Sequence, residues 1–173
     1  VKKSVAACKE CFDVLETPLG IVYLVFRSSV LTRITFDRPR GIVFKSGGPA
    51  AVVKKELTEY FNEGRKDFSC ETSFVEGSEF ERQVWNTLKE VPYGETMTYK
   101  WLADRIGRPR AFRAVGNALG KNPIPIIFPC HRIIESDGSL GGYSSGTDIK
   151  RRLIEIEYYS RQSGKTTPVN STV

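Results

Sequence analysis

Residues 98–122, TYKWLADRIGRPRAFRAVGNALGKN, decide how this 173-residue chain is read. Thr98 is a good N-cap for a short helix over 99–106, which has to stop at Gly107-Arg108-Pro109. A second helix is predicted from about 110 to 119, after a turn of about four residues, and that is helix-turn-helix spacing. The segment holds Lys100, Arg105, Arg108, Arg110, Arg113 and Lys121 against the single acid Asp104. The whole chain carries +6, so most of its basic excess lies here, and an anionic partner is expected at this segment.

Toward the N-terminus, Ser78 followed by Glu81 is a capping box. It opens a helix whose apolar face is Phe80, Val84, Trp85, Leu88 and Val91 and which Pro92-Tyr93-Gly94 ends. Residues 65–77 have no long periodicity and are taken as the domain boundary, with 68–75 suited to an added strand. Pro49 fits the first turn of a helix carrying Val53, Leu57, Tyr60 and Phe61, with Gly64 as its stop. Residues 38–48, rich in Pro, Gly and basic side chains, read as loop. Before them, Thr17-Pro18-Leu19-Gly20 turns a hairpin into β-rich runs at 21–26 and 31–36, around Arg27-Ser28-Ser29.

Toward the C-terminus, Asn122-Pro123-Ile124-Pro125 leads into Ile126-Ile127-Phe128, an apolar run without helical period that is expected to be buried and extended. It opens into Pro129-Cys130-His131-Arg132 and a loop over 136–146 that contains four glycines. A last helix over 148–158 turns Ile149, Leu153 and Ile156 inward. The fold class expected is α/β in the α+β sense. A small sheet-plus-helix domain (1–77) precedes a mainly helical domain with the helix-turn-helix (78–158), and a polar tail follows (159–173).

Cys130 has two readings, a buried small hydrophobe or a nucleophile. The second is favoured because the pair Cys130-His131 ends a buried run, opens a Gly-rich loop and contains the only histidine of the chain. A free thiol of pKa about 8.5 is only slightly ionised at neutral pH, so a base that draws off its proton raises its reactivity. Adjacent side chains do not face one another on a helix or strand, and a bridging water is therefore expected between thiol and imidazole. A carboxylate would fix the imidazole tautomer. Glu157, at the margin of the last helix's apolar face, is either that group or a surface carboxylate at a helix end.

Composition narrows the class further. With 40% hydrophobic, 11% aromatic and 27% charged residues the chain is globular, which excludes disorder as its dominant state. No apolar run approaches the roughly 18 to 20 residues of a membrane span, and the first residues lack the apolar core of a secretory signal. A cytoplasmic location is expected, or a nuclear one in a eukaryote. Cys8, Cys11, Cys70 and Cys130 are too unevenly spaced for a disulfide framework. Cys8-Lys9-Glu10-Cys11 is a lone CxxC, and with His131 assigned to chemistry the remaining donors do not complete a zinc site. Neither a metal nor a cofactor is expected.

Pro129-Cys130-His131-Arg132-Ile133, preceded by Arg113-Ala114-Val115-Gly116-Asn117 and Asn122-Pro123 and followed by Gly142-Tyr143-Ser144, resembles the active-site core of the O6-alkylguanine-DNA alkyltransferases. The resemblance runs over about 78–158 in order and spacing, and Leu119 and Gly120 depart from the commonest family pattern. It implies a monomeric DNA-repair protein that flips O6-alkylguanine out of double-stranded DNA, from the minor-groove side, and moves the alkyl group irreversibly to its own Cys130. By the same resemblance His131 and Glu157 activate Cys130 through a water, and Tyr99 donates a proton to the purine. Without the resemblance, Tyr99 reads as an aromatic packing at a helix start.

The resemblance further implies that Arg113 fills the place of the flipped base. Small residues such as Ala114 and Gly116 let the second helix approach the sugar-phosphate walls. Arg108, Arg110, Lys100 and Lys121 suit phosphate contacts, whereas Arg105 reads as a solvated surface charge. Tyr143 and Ser144 wall the guanine pocket, the carbonyls of Cys130 and Ile133 lie near the exocyclic amine, and Asn122 ties the helix-turn-helix to the active-site segment. Lys150 matches a lysine near the active-site backbone. Two other readings remain at this point: a DNA-binding module without transfer, whose relatives lack this cysteine, and a thiol hydrolase on Cys130 and His131 that turns over many times.

Overall fold

In the computed structural model, β1 (Cys11–Thr17) turns through Pro18 and Leu19 into β2 (Gly20–Arg27), with Thr17 opposite Gly20. The Thr17 hydroxyl closes that turn by donating to Gly20 O (2.7 Å) and accepting from Leu19 N (3.1 Å). β3 (Val30–Thr35) follows across Ser28 and Ser29, both at positive φ (50° and 74°), the backbone twist that a two-residue hairpin requires. β4 (Val43–Phe44) pairs parallel with β1 and gives the order β3-β2-β1-β4. It lies inside the stretch expected to be loop, and two residues are too few to carry an alternating pattern. Residues 10–163 are described; Cys8 of the CxxC and residues 164–173 of the expected tail lie outside them.

The strand expected over 68–75 does not form. Only Thr72 bridges to Leu31, with Leu31 N donating to Glu71 O (3.1 Å) and Ser73 N to Leu31 O (3.0 Å). The carboxylate of Glu56 takes the amides of Ser69 and Cys70 (3.0 and 3.1 Å), which draws the first part of this segment to a helix and away from the sheet edge. That helix, α1 (Ala50–Glu63), ends as expected at Gly64, whose φ of +70° suits a left-handed cap. Its Val53, Leu57, Tyr60 and Phe61 are buried in a cluster with Val22, Leu24 and Phe26 of β2.

α2 (Glu79–Thr87) begins with the predicted capping box: Ser78 Oγ accepts from Glu81 N (3.3 Å) and Glu81 accepts from Ser78 N (2.8 Å). β5 (Met97–Thr98) leads into α3 (Tyr99–Arg105), which Thr98 Oγ1 caps by accepting from Trp101 N (3.0 Å). α4 (Phe112–Gly120) begins two residues later than predicted, so the intervening turn is 106–111. Ala111 offers no polar side chain as a cap, and its N–H instead closes a turn on Arg108 O (2.9 Å). The Trp85 indole donates to Ala118 O (2.7 Å) and fixes α4 against α2.

The run 126–128 is buried as expected, but it is turned and not extended. Ile126 has φ +74°, Phe128 N donates to Ile124 O (3.0 Å), and Pro123 and Pro125 have no N–H to offer a ladder. Asn122 spans this turn, its Oδ1 accepting from Ile124 N (3.1 Å) and its Nδ2 donating to Phe128 O (2.7 Å). A 3-10 turn (Cys130–Arg132) and β6 (Ile133–Ile134), parallel to β5, follow. α5 (Thr147–Ser163) runs five residues beyond the predicted end. Its last turn is held by the Arg161–Glu95 pair (2.9 Å) and by Ser160 packed over Gly64. One apolar cluster runs from β2, β3 and α1 through to α2, α3, α4 and α5.

Candidate active site and DNA-facing surface

Cys130 sits at the first residue of the 3-10 turn, 5% exposed, where the buried turn 124–128 delivers it. Burial pushes its thiol above the ordinary value, while the Asn122 side chain, the Tyr143 hydroxyl and the charge of Lys150 pull the other way. The thiol opens on a cavity of about 470 Å³ lined by Tyr99, Phe112, Arg113, Gly116, Glu135, Tyr143 and Ser144, among others. That is the size of a small-molecule pocket, with room for a purine base.

Behind Cys130, His131 is fully buried and its Nε2 lies 2.8 Å from Glu157 Oε1. An ionised carboxylate only accepts, so Nε2 carries the hydrogen and Nδ1 is the basic nitrogen. Among the described residues Nδ1 has no hydrogen-bond partner. Burial lowers the His131 pKa, against the opposing pull of Glu157. Burial alone would raise Glu157, but the hydrogen bond of His131 and the hydrogen bonds and charge of Arg132 outweigh it and hold this carboxyl well below the usual carboxylate range. The imidazole is thus neutral, oriented and backed by a permanent negative charge.

Tyr99, the first residue of α3, lines the cavity; burial and the charge of Glu135 raise its phenol. A Cβ on Gly141 would stand 2.9 Å from that hydroxyl and 3.1 Å from a Glu135 carboxylate oxygen, so only glycine leaves the cavity open there. Tyr143 and Ser144 line the cavity, and the Tyr143 hydroxyl is buried without a regular hydrogen bond among the described residues. Ile133 is fully buried in β6 and does not itself line the cavity, and Asn122, which is not among the lining residues either, braces the turn that delivers Cys130. Lys150 is buried, and its ammonium donates to Leu140 O and Gly142 O, which pins the glycine loop to α5.

On the outer face, Arg113 and Gly116 of α4 meet the cavity rim and Ala114 is exposed beside them. The basic side chains are not equivalent. Lys100 pairs with Asp104 (2.7 Å), Lys121 with Glu81 (2.6 Å), Arg105 with Glu90, and Arg108 lies over the Phe80 ring (5.6 Å). Arg110 and Arg113 are exposed and make no ion pair among the described residues.

The profile described as "6-O-methylguanine DNA methyltransferase, DNA binding domain" matches residues 79–159. The methylated-DNA–protein-cysteine methyltransferase of Methanosarcina barkeri is 40% identical over 152 residues, which cover 84% of this chain and 96% of that protein. The chain belongs to the O6-methylguanine-DNA methyltransferase family. Solved structures agree. The crystal structure of the Mycobacterium tuberculosis O6-methylguanine methyltransferase superposes with a TM-score of 0.80 at 36% identity, over 87% of this chain and 94% of that one. The same organism's protein in complex with DNA gives 0.80 at 38%, over 86% and 93%.

Cys130, His131 and Glu157 come together, as do Tyr99, Tyr143, Ser144 and Arg113 around the cavity. Three residues at the site were given no role there by the sequence, although Arg132 stands within the Cys130 motif. Arg132 grips Glu157 through Nε (2.9 Å) and Nη2 (2.9 Å), and its Nη1 donates to Val91 O (2.7 Å). Glu135 lines the cavity, and Tyr60 reaches Glu157 from α1. Only long-range pairing reveals them, although a tyrosine at the apolar face of α1 was visible as core.

Proposed function

We propose that the protein repairs O6-alkylguanine in double-stranded DNA by moving the alkyl group to Cys130, once per molecule. One observation carries this reading: a buried cysteine faces a base-sized cavity, backed by the His131–Glu157 pair and rimmed by Arg113, a cation without an ion pair among the described residues.

The target carbon is inside the helical stack and is reached only if the nucleotide is flipped, at a cost of a few kcal/mol. α4 enters the minor groove, where Ala114 and Gly116 allow close approach, and Arg113 takes the vacated place in the stack. Arg108, Arg110, Lys100 and Lys121 hold phosphates, which gives affinity without sequence preference. His131 Nδ1, through a water, takes the proton of Cys130. The thiolate sulfur then attacks the alkyl carbon, the S–C bond forms as the C–O6 bond breaks, and the electron pair stays on guanine. Tyr99 donates a proton to the purine as that charge develops. The glycine loop with Tyr143 and Ser144, the carbonyls of Cys130 and Ile133, and the Asn122-braced turn shape the pocket. A thioether has no leaving group to release, so the protein is consumed.

The two parts divide at residue 77, with residues 78–158 holding the DNA-facing and acceptor groups. The protein acts as a monomer, in the cytoplasm or, in a eukaryote, the nucleus; no described helix is long and apolar enough to cross a membrane. The test is a titration of O6-methylguanine duplex with known amounts of protein. Loss of the lesion should stop at one equivalent per protein molecule, and continued turnover would replace this reading with a thiol hydrolase.

A further inference from the structure

Glu157 is gripped by donors from two sides. Its Oε1 accepts from the Tyr60 hydroxyl (2.7 Å), His131 Nε2 (2.8 Å) and Arg132 Nη2 (2.9 Å). Its Oε2 accepts from Gly94 N (2.9 Å) and Arg132 Nε (2.9 Å). All of these but one belong to the half of the chain that carries Cys130. Tyr60 stands on α1, 97 residues away in sequence. Its ring is completely buried and edge-packed on Phe61 (5.1 Å) and Tyr93 (5.9 Å), so packing sets the direction of the hydroxyl. The same oxygen therefore serves the Tyr60 hydroxyl and the imidazole. A donor in that place fixes the rotation of the carboxylate and draws negative charge away from the imidazole.

We propose that Tyr60 is a positioning residue for alkyl transfer: its hydroxyl holds Glu157 Oε1 against His131 and moderates how strongly the carboxylate favours a charged imidazole. The N-terminal half thereby takes a direct part in the chemistry of the other half. The proposal rests on the reading of Cys130, His131 and Glu157 as a proton relay. The groups that face Glu157 are Tyr60 from α1, Tyr93 and the Gly94 amide from the segment after α2, and His131 and Arg132 from the 3-10 turn; Lys150 of α5 acts on His131 through its charge. Without the hydroxyl the carboxylate is more basic toward His131. The neutral imidazole that the relay needs then forms only at higher pH.

Single-turnover transfer from an O6-methylguanine duplex, followed between about pH 5 and 8, tests this. Tyr60→Phe keeps the ring and should shift the acid limb of the rate profile upward, slowing transfer several-fold at the low end, with duplex affinity unchanged. Incorporating 3-fluorotyrosine at position 60 strengthens the donor with almost no change of shape and should shift the limb the other way, even if the phenylalanine variant folds poorly. Tyr93→Phe removes a hydroxyl of the same cluster that makes no hydrogen bond to Glu157 among the described residues and should move the limb much less than Tyr60→Phe does. A limb unmoved in both Tyr60 variants, while Glu157→Gln still slows transfer, overturns the role of Tyr60 alone. Glu157→Gln without effect overturns the relay and this proposal together.

Discussion

Glu157 and Arg132 show how much one buried charge depends on another. Arg132 is 6% exposed and Glu157 1% exposed, so Glu157→Ala leaves a buried guanidinium without its counter-charge. The expected cost is about 3–5 kcal/mol, read from urea unfolding. The pH dependence has a definite sign. His131 is depressed by burial and Glu157 is held below the carboxylate range by its partners, so both folded values lie beneath the unfolded ones. Each group adds stability that is complete above its unfolded pKa and lost as the pH falls through its folded one. The urea midpoint should therefore decline below about pH 6.5 and again below about pH 4.3. His131→Gln should remove the upper part of that decline; an unchanged upper part would mean that His131 is not buried neutral.

Helix α4 gains or loses DNA through its neighbours as well as its own side chains. Lys121 is paired with Glu81, which is also the capping residue of α2, so Glu81→Gln keeps a capping partner while freeing the lysine. Tighter duplex binding at low salt is expected, with the salt slope steeper by about one; an unaltered slope would remove Lys121 from the phosphate contacts. At this scale much was legible in advance. Ser78, Thr98 and Gly64 marked helix ends because caps are local hydrogen-bond chemistry, and the hairpin turns lay between β-rich runs. Burial of 126–128 was legible too, but its turned path was not, because that path depends on Asn122 reaching Phe128 O and on the rare backbone of Ile126. The missing strand over 68–75 has the same origin: the pull of Glu56 comes from the side chain of the preceding helix, which no periodicity of the segment itself marks. At the site, the motif around Cys130 was readable, and Glu157 became readable with it. Arg132, Glu135 and Tyr60 join only through contacts that no local pattern encodes.

The whole molecule is arranged so that its chemistry and its packing share atoms. The sheet half meets the other through Ile34 N on Pro123 O (2.9 Å) and through Tyr60 on Glu157, and Cys130 lies within the common apolar cluster. Methylation replaces the thiol, which the Asn122 side chain, the Tyr143 hydroxyl and the charge of Lys150 favour in its ionised form, with a thioether that cannot ionise, on a side chain that is 5% exposed, at a cost of about 1–3 kcal/mol. The reacted protein should melt several degrees lower than the unreacted one; equal melting temperatures would contradict this loss. The most direct measurement is the intact mass of the protein after mixing with duplex DNA carrying one O6-methylguanine, with Cys130→Ser alongside. The wild-type chain should gain one methyl, about 14 Da, and the variant nothing. No gain on the wild type, with lesion binding retained, would contradict transfer and leave a protein that only binds the damaged base.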